Sequence, residues 1–438
     1  MSKINVIIAG AGGRDFQNFL VYFKNNSNFN VVAFTATQIP GIEKRHFPKE
    51  LSGSKYKKGI KIYPEKDLPN LIKKLNVDYV YLCYSDLSHQ QVGDIASVVL
   101  ANGANFGLLG TEQTWIKSKI PVISVCAVRT GCGKSRVTRK IGLYLKSKNK
   151  RFVILRHPMP YGDLNKQAVQ KFYTYEDLIK AKCTVEELEE YEHHIRQGFP
   201  VFAGVDYEKI LREAEKEADV ILWDGGNNDF SFIKPDLNLV LVDPRRAGHG
   251  LSYYPGEVNL RIADIVIVNR MFGITNEQIQ KVKDNVKSVN KNSKIVDVTS
   301  LVLVEDPKLI RNKKVLIIGD GPTLTHGGMA TGIGTAAAIK YKAKKIVEPR
   351  KYAVGSIKET YEKFPHLKSE LSAMGYSKKQ LKDLEKSINR VPCDIIIDGT
   401  PSDIKKLIKI KKEVIYSGYD IDEKTLGPIY KAIDKIIK

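Results

Sequence analysis

The run Ile120-Pro-Val-Ile-Ser-Val-Cys-Ala-Val-Arg-Thr-Gly-Cys-Gly-Lys134-Ser135 constrains this chain more than any other feature. Its apolar residues 121–126 predict a buried strand, and the glycines at 131 and 133, followed by Lys134 and Ser135, predict a turn that opens a helix. Gly131 and Gly133 let successive N–H groups converge on one anion beside the helix N-terminus. Lys134 then reaches the outer phosphates of a nucleoside triphosphate, ATP or GTP, and the Ser135 hydroxyl is a ligand for its Mg2+ ion. Thr130, Gly131, Cys132, Gly133, Lys134, Ser135 and Arg136 are the expected nucleotide-binding residues. Val128 stands where the strict G-x-x-x-x-G-K-[ST] pattern begins with glycine, so the loop is a variant. The competing reading is an ordinary glycine turn before an unrelated helix.

Loops lacking that first glycine resemble the branch of P-loop NTPases that includes dethiobiotin synthetase and the MinD-like ATPases. Arg129 falls where MinD-like loops carry an additional phosphate-contacting lysine, so the resemblance makes it a second cation beside Lys134.

With 438 residues, 42% hydrophobic and 27% charged, the chain suits a multidomain globular protein. No apolar stretch approaches the roughly 20 residues of a membrane span, and the amino terminus reads as a core strand rather than an export signal, so the expected location is cytoplasmic with no membrane partner. Five cysteines without C-x-x-C spacing point to reduced thiols. The charge of +21 is spread over helical surfaces such as Lys405-Lys-Leu-Ile-Lys-Ile-Lys-Lys412, without a basic tail or nucleic-acid module, so no nucleic-acid partner is expected. A homo-oligomer is allowed.

The periodicity predicts an α/β fold in three parts. Residues 1–118 read as a Rossmann-like α/β domain with strands near 4–9, 30–35, 78–84 and 105–109. Residues 119–305 read as a P-loop parallel-sheet domain with further strands at 151–155, 219–223, 237–242 and 264–268. A charged stretch there, Thr184-Val-Glu-Glu-Leu-Glu-Glu-Tyr-Glu-His193-His194, reads as a helical lid. Residues 306–438 read as a smaller α/β unit with strands at 314–318, 345–347, 394–398 and 413–416 and a Gly/Thr-rich loop. In the first part, Gly10-Ala-Gly12-Gly13-Arg14-Asp15 has two glycines of a dinucleotide fingerprint, with Asp15 in place of the third and no acid ending the second strand. A structural or anion-binding turn is the favoured reading, with Arg14 as a phosphate contact.

Asp224, closing the strand Val220-Ile-Leu-Trp223, occupies the place of an acid that holds magnesium or its water shell opposite the loop. The metal ligands are thus Ser135 and Asp224, and the catalytic set is Lys134, Arg129 and Asp224. A cap on the following turn is the other reading of Asp224. Two basic clusters past strand ends, Arg156-His157 and Arg245-Arg246-Ala-Gly248-His249, suit an anionic second ligand because guanidinium forks match phosphate. Thr323, Thr325 and His326 join them as expected substrate-binding residues. His157 and His249 read equally well as solvated loop residues.

Four segments, Cys126-Ala-Val-Arg-Thr-Gly-Cys-Gly-Lys-Ser135, Arg156-His-Pro-Met-Pro-Tyr-Gly-Asp163, Ile221-Leu-Trp-Asp-Gly-Gly-Asn-Asn-Asp229 and Asp320-Gly-Pro-Thr-Leu-Thr-His-Gly-Gly-Met329, resemble the cyclic 2,3-diphosphoglycerate synthetase and predicted-GTPase family along nearly the whole chain. The resemblance implies ATP-driven, magnesium-dependent closure of a phosphoanhydride in 2,3-diphosphoglycerate, or a related phosphotransfer to a small phosphorylated acid. Asn269 falls where relatives of dethiobiotin synthetase contact the base; a turn residue is its other reading. Two alternatives come from other classes: a GTPase switch or metallochaperone, which calls for Cys/His pairs near the loop, and a ligand sensor built on the first domain.

Overall fold

The computed structural model describes residues 3–37, 45–157, 162–226, 228–325, 328–373, 378–400 and 404–437. The chain forms two compact units, one of residues 1–268, 278–296 and 427–438, the other of residues 269–277 and 297–426. Both are α/β.

The first unit holds two sheets. Strands β1 (Ile4–Ala9), β2 (Phe29–Ala36), β3 (His46–Phe47), β4 (Ile60–Pro64), β5 (Tyr79–Leu82) and β7 (Asn105–Gly107) form a sheet in the order β3-β4-β2-β1-β5-β7, and β6 (Leu87–Ser88) stands apart. All neighbours are parallel except β3 and β4. The expected helix near 16–25 begins at Arg14 and continues from Phe19 to Phe23 with wider π-type turns. It delivers Phe16, Phe19 and Phe23 to one core with Phe34 and Phe47, and that core includes Leu164 and Val205 from the following sequence, which ties the two sheets together. Aromatic rings bury the largest apolar area per residue, each contributing about 1.5–3 kcal/mol.

The second sheet comprises β8 (Val122–Ala127), β9 (Phe152–Arg156), β10 (Gln170–Phe172), β11 (Val201–Ala203), β12 (Val220–Asp224), β13 (Leu237–Val242) and β15 (Ile265–Arg270), in the order β10-β11-β9-β12-β8-β13-β15. β8, β9, β12 and β13 are buried along their whole length, as continuous apolar strands covered on both faces must be. β14 (Tyr253–Tyr254) pairs with β6 and so joins the loops of the two sheets. The helix Gly427–Ile433 belongs to this unit, where Tyr430 stacks on Tyr144 with ring centroids 3.9 Å apart.

The second unit contains β16 (Lys294–Val304, shared with the first unit at its start), β17 (Lys314–Asp320), β18 (Lys345–Ile346), β19 (Glu370–Ala373), β20 (Ile395–Gly399) and β21 (Val414–Ile421). β17 pairs in parallel with β18, β19 and β20, β20 with β21, and β16 runs antiparallel to β21. Among the described residues no helix is long and apolar enough to cross a membrane.

Candidate active site

β8 runs between β12 and β13 and ends in the glycine loop. Gly131 (φ 83°) and Gly133 (φ 100°) adopt the left-handed backbone that side chains resist, and the helix Lys134–Ser147 starts on Gly133. Gly256 matters for the same loop: a Cβ there would lie 2.2 Å from the carbonyl oxygen of Val128, so only glycine lets the helix Gly256–Arg261 approach. Lys134 is buried, which pushes its ammonium pKa down. Burial likewise pushes the Cys132 thiol up, away from redox reactivity.

Arg156 and Asp224 are register partners on the parallel strands β9 and β12, so their side chains share a face. Arg156 Nη1 lies 3.5 Å from Asp224 Oδ2 and donates to the carbonyl oxygens of Asp224 (2.8 Å) and Gly225 (2.9 Å), while the guanidinium also pairs with Glu190. Thr138 Oγ1 donates to Asp224 Oδ1 at 3.1 Å, and His194 Nε2 lies 2.9 Å from Oδ2. Burial opposes ionisation of Asp224, but Arg156 and His194 outweigh it and hold the carboxyl far below the usual range. Arg156, expected to meet substrate, is thus committed to protein carboxylates. The segment expected as a lid is the helix Val185–Ile195, whose His194 is fully buried against Asp224.

These contacts bear on metal binding. Asp224 has both carboxylate oxygens engaged, and its hydroxyl partner is Thr138, one turn after the half-buried Ser135. The oxygen donors of Ser135 and Asp224, with one negative charge between them, are of the chemical type that suits Mg2+. His193, His194 and Asp224 also bring one ligand atom each within 4.8 Å of one another, two imidazoles and a carboxylate, a set that suits borderline metals better than Mg2+.

Arg129 is held by a residue from the first sheet. Its Nε lies 2.6 Å from Asp86 Oδ1, its Nη1 2.7 Å from His249 Nδ1, and its guanidinium carbon 3.7 Å above the Tyr253 ring. Asn228 Nδ2 donates to the same Asp86 oxygen at 2.5 Å. Burial pushes Asp86 up, opposed by Arg129; burial and then the neighbouring Arg129 push His249 down to about 4. Arg246 donates to the Thr130 carbonyl oxygen at 2.7 Å, and both Arg245 (2.8 Å) and Arg246 (3.1 Å) pair with Asp243 Oδ2. The structure therefore gathers Arg129, Thr130, Arg245, Arg246 and His249 around one loop.

The first glycine turn differs. Asp15 Oδ1 accepts from the amides of Gly12 (2.7 Å), Gly13 (3.0 Å) and Phe16 (2.8 Å), so the N–H groups that a pyrophosphate needs are occupied by a carboxylate of the chain itself. Burial pushes Asp15 up, and those three amides oppose it. Arg14, expected as a phosphate contact, instead pairs with Asp229 and donates to the Phe230 carbonyl oxygen. His157 Nε2 lies 3.0 Å from the other Asp229 oxygen, and its ring is wedged between Gly13 and Gly226, at each of which an added Cβ would come within 3.0 Å of a ring atom.

Four remaining expectations fall in the second unit. Asn269 is buried and accepts from Ser300 Oγ at 2.7 Å. Thr323 donates to Asp320, and Thr325 donates to the Gly321 carbonyl oxygen at 2.8 Å. His326 lies outside the described residues. The Gly/Thr-rich loop there packs on a buried acid, Glu370, which accepts from the amides of Gly332 (2.7 Å) and Thr335 (3.2 Å).

Sequence reasoning missed Asp86, His194 and Asp229 as site residues. Asp86 and Asp229 follow strand ends in parallel sheets, which was the available signal; nothing local marks His194.

Strand, glycine loop and lysine-led helix together define a P-loop α/β protein, and its relatives refine that class. No protein-family model matches the chain. Arginine synthetase ArcE of Thermococcus kodakarensis is 53% identical over 421 residues, covering 96% of this chain and 94% of that protein, and the chain belongs to its family. Solved structures with similarity include LpxK of Aquifex aeolicus in complex with ATP (TM-score 0.44, 16% identity, 74% of this chain and 91% of that one). MinD of Aquifex aeolicus (0.24, 20%, 43% and 84%) and cobyrinic acid a,c-diamide synthase of Mycobacterium smegmatis (0.20, 15%, 41% and 74%) are more distant.

Proposed function

We propose that the protein is a nucleoside-triphosphate-driven synthetase that makes arginine from its ureido counterpart, the amino acid carrying oxygen where arginine carries its last nitrogen. The observation that carries this reading is 53% identity to an arginine synthetase along nearly the full length of both chains. The chemistry follows from the bond to be made. A ureido carbon is unreactive until its oxygen becomes a leaving group, and a P-loop is built to move a phosphoryl group. Transfer of the terminal phosphoryl to the ureido oxygen yields an O-phosphorylated isourea and nucleoside diphosphate. Ammonia then adds to that carbon, the C–O bond breaks, phosphate departs and a proton is lost.

In this reading Lys134 and the amides of residues 130–136 hold the triphosphate. Arg129 exchanges Asp86 for phosphate as negative charge moves outward, an electrostatic role. Magnesium, when bound, neutralises the phosphates. Ser135 would hold it, and Asp224 would orient its water.

Closure of 2,3-diphosphoglycerate is the competing reaction. It needs cations in excess for a polyanionic acceptor, whereas Arg156, Arg245 and Arg14 sit against Glu190 with Asp224, Asp243 and Asp229. That balance favours an acceptor of low net charge. The test is to incubate the protein with ATP or GTP, Mg2+, ammonium and L-citrulline, and to follow arginine by mass spectrometry and phosphate by phosphorus resonances. Arginine formed in step with phosphate is the expected result. No arginine, with a new phosphoanhydride resonance from 2,3-diphosphoglycerate, overturns it.

A further inference from the structure

The first sheet reverses its winding between β1 and β5, since β2 and β4 lie on one side of β1 and β5 and β7 on the other. In parallel sheets the crevice outside the carboxyl ends of the strands at such a reversal takes ligands. Here Asp15 already occupies the backbone amides of the β1 turn, which leaves the side chains of the next helical turn to define any ligand.

Arg14, Gln17 and Asn18 stand at spacing i, i+3 and i+4, so they share one face, and they are only 3%, 1% and 2% exposed. Arg14 is fixed by Asp229, and Asn18 donates Nδ2 to Cys83 Sγ at 3.1 Å, just past β5. Beyond those contacts, Arg14 Nη1, both amide atoms of Gln17 and Asn18 Oδ1 are buried without a hydrogen-bond partner among the described residues. From the loop after β12, beside Asp229, Asn228 Oδ1 is in the same condition. Folded proteins pair the large majority of such atoms, so several unpaired ones at one reversal point describe a surface shaped for a polar ligand.

We propose that this crevice, lined by Arg14, Gln17, Asn18 and Asn228, binds the acceptor by its uncharged ureido end. The proposal rests on the arginine-forming reading and locates its acceptor. A ureido group offers two kinds of N–H donor and a carbonyl acceptor, the complement of carboxamide side chains, each of which offers both. A phosphate or carboxylate head would need unbalanced cations, and the charge of Arg14 is matched by Asp229. Asp229 belongs to the loop that follows Asp224, so the crevice adjoins the strand end facing the phosphate loop.

The test is calorimetric titration of L-citrulline, and separately of ATP, into the full-length protein and its Gln17→Met and Asn18→Leu variants, with steady-state arginine formation alongside. The expected result is citrulline affinity weakened at least tenfold in both variants, ATP affinity unchanged within twofold, and an unliganded thermal midpoint that is kept or raised because an unpaired buried amide is gone. Gln17→Glu, equal in size, replaces Gln17→Met if that variant fails to fold. Arginine production by the wild type with citrulline affinity and KM unchanged in the variants overturns the site alone. A wild type that neither binds citrulline nor makes arginine overturns the underlying reading, and the site with it. Tight binding of 2,3-diphosphoglycerate that depends on Gln17 also overturns the ureido assignment.

Discussion

Residues 10–13 and 128–133 each follow an inner strand of a parallel sheet and each precede a helix, yet the first is filled by a carboxylate of the chain itself, whereas the second is the loop we propose to hold phosphate. In the first, Asp15 folds back within two to three residues and takes the amides of Gly12 and Gly13. In the second, no acid follows the glycines, and Lys134 supplies a buried cation in its place. Glycine content is therefore a poor guide to anion binding; the sign of the charge just after the glycines decides. In the second unit the anion for the amides of Gly332 and Thr335 comes from a distant strand, as Glu370, which no local reading of the glycines reveals.

Four experiments break or sharpen that contrast. The largest effect is expected for Lys134→Ala, which should lower turnover by about 10²–10³-fold, the usual consequence of deleting an electrostatic stabiliser, with the unfolding midpoint retained. Turnover that survives would place the phosphates elsewhere. Asp15→Ala should act only on stability: it leaves three amides without their acceptor and should cost about 1–3 kcal/mol in urea denaturation, with the nucleotide KM unchanged. A change in nucleotide KM comparable to that from Lys134→Ala would mean that the two turns act on one ligand. Asp86→Asn tests the contact between the turns' two sheets. It removes the carboxylate that competes with phosphate for Arg129, so nucleotide should bind about three- to tenfold tighter, as read by calorimetry. Weaker binding would show that Asp86 instead presents Arg129 correctly.

The smallest effect concerns pH. Folding moves His249 from the ordinary 6.5 down to about 4. Between those values the unfolded chain holds the proton and the folded chain does not, so stability should rise with pH across that window and level off on either side. His249→Gln should flatten the slope in denaturation curves taken from pH 4 to 7; an unchanged slope would assign it to other groups.

Much of this architecture could be read from the sequence because buried parallel strands are continuous apolar runs: β13 lies at 237–242 as expected, and β1 at 4–9. Strands of only two or three residues escaped, including β3, β6, β11 and β14, whose pairing depends on neighbours far away in sequence. The glycine turn before the helix Lys134–Ser147 was legible for the same local reason, a spacing set by one turn. Asp86 and His194 were not, since each acquires its meaning only when another strand places Arg129 or Asp224 beside it. The acidic partners of the basic clusters were hidden in a related way: Arg156 and Arg245 look like unspent charge in sequence, while β-register and a tight turn set each beside an acid.

One consequence concerns biosynthesis. The helix Gly427–Ile433 joins the unit that contains the helix of Lys134, through the Tyr430–Tyr144 stack, although residues 297–426 form the other unit. A ribosome therefore completes the second unit before the last segment of the first has emerged. A nascent chain stalled near residue 420 would carry the glycine loop and the helix Lys134–Ser147 without the segment whose Tyr430 stacks on Tyr144.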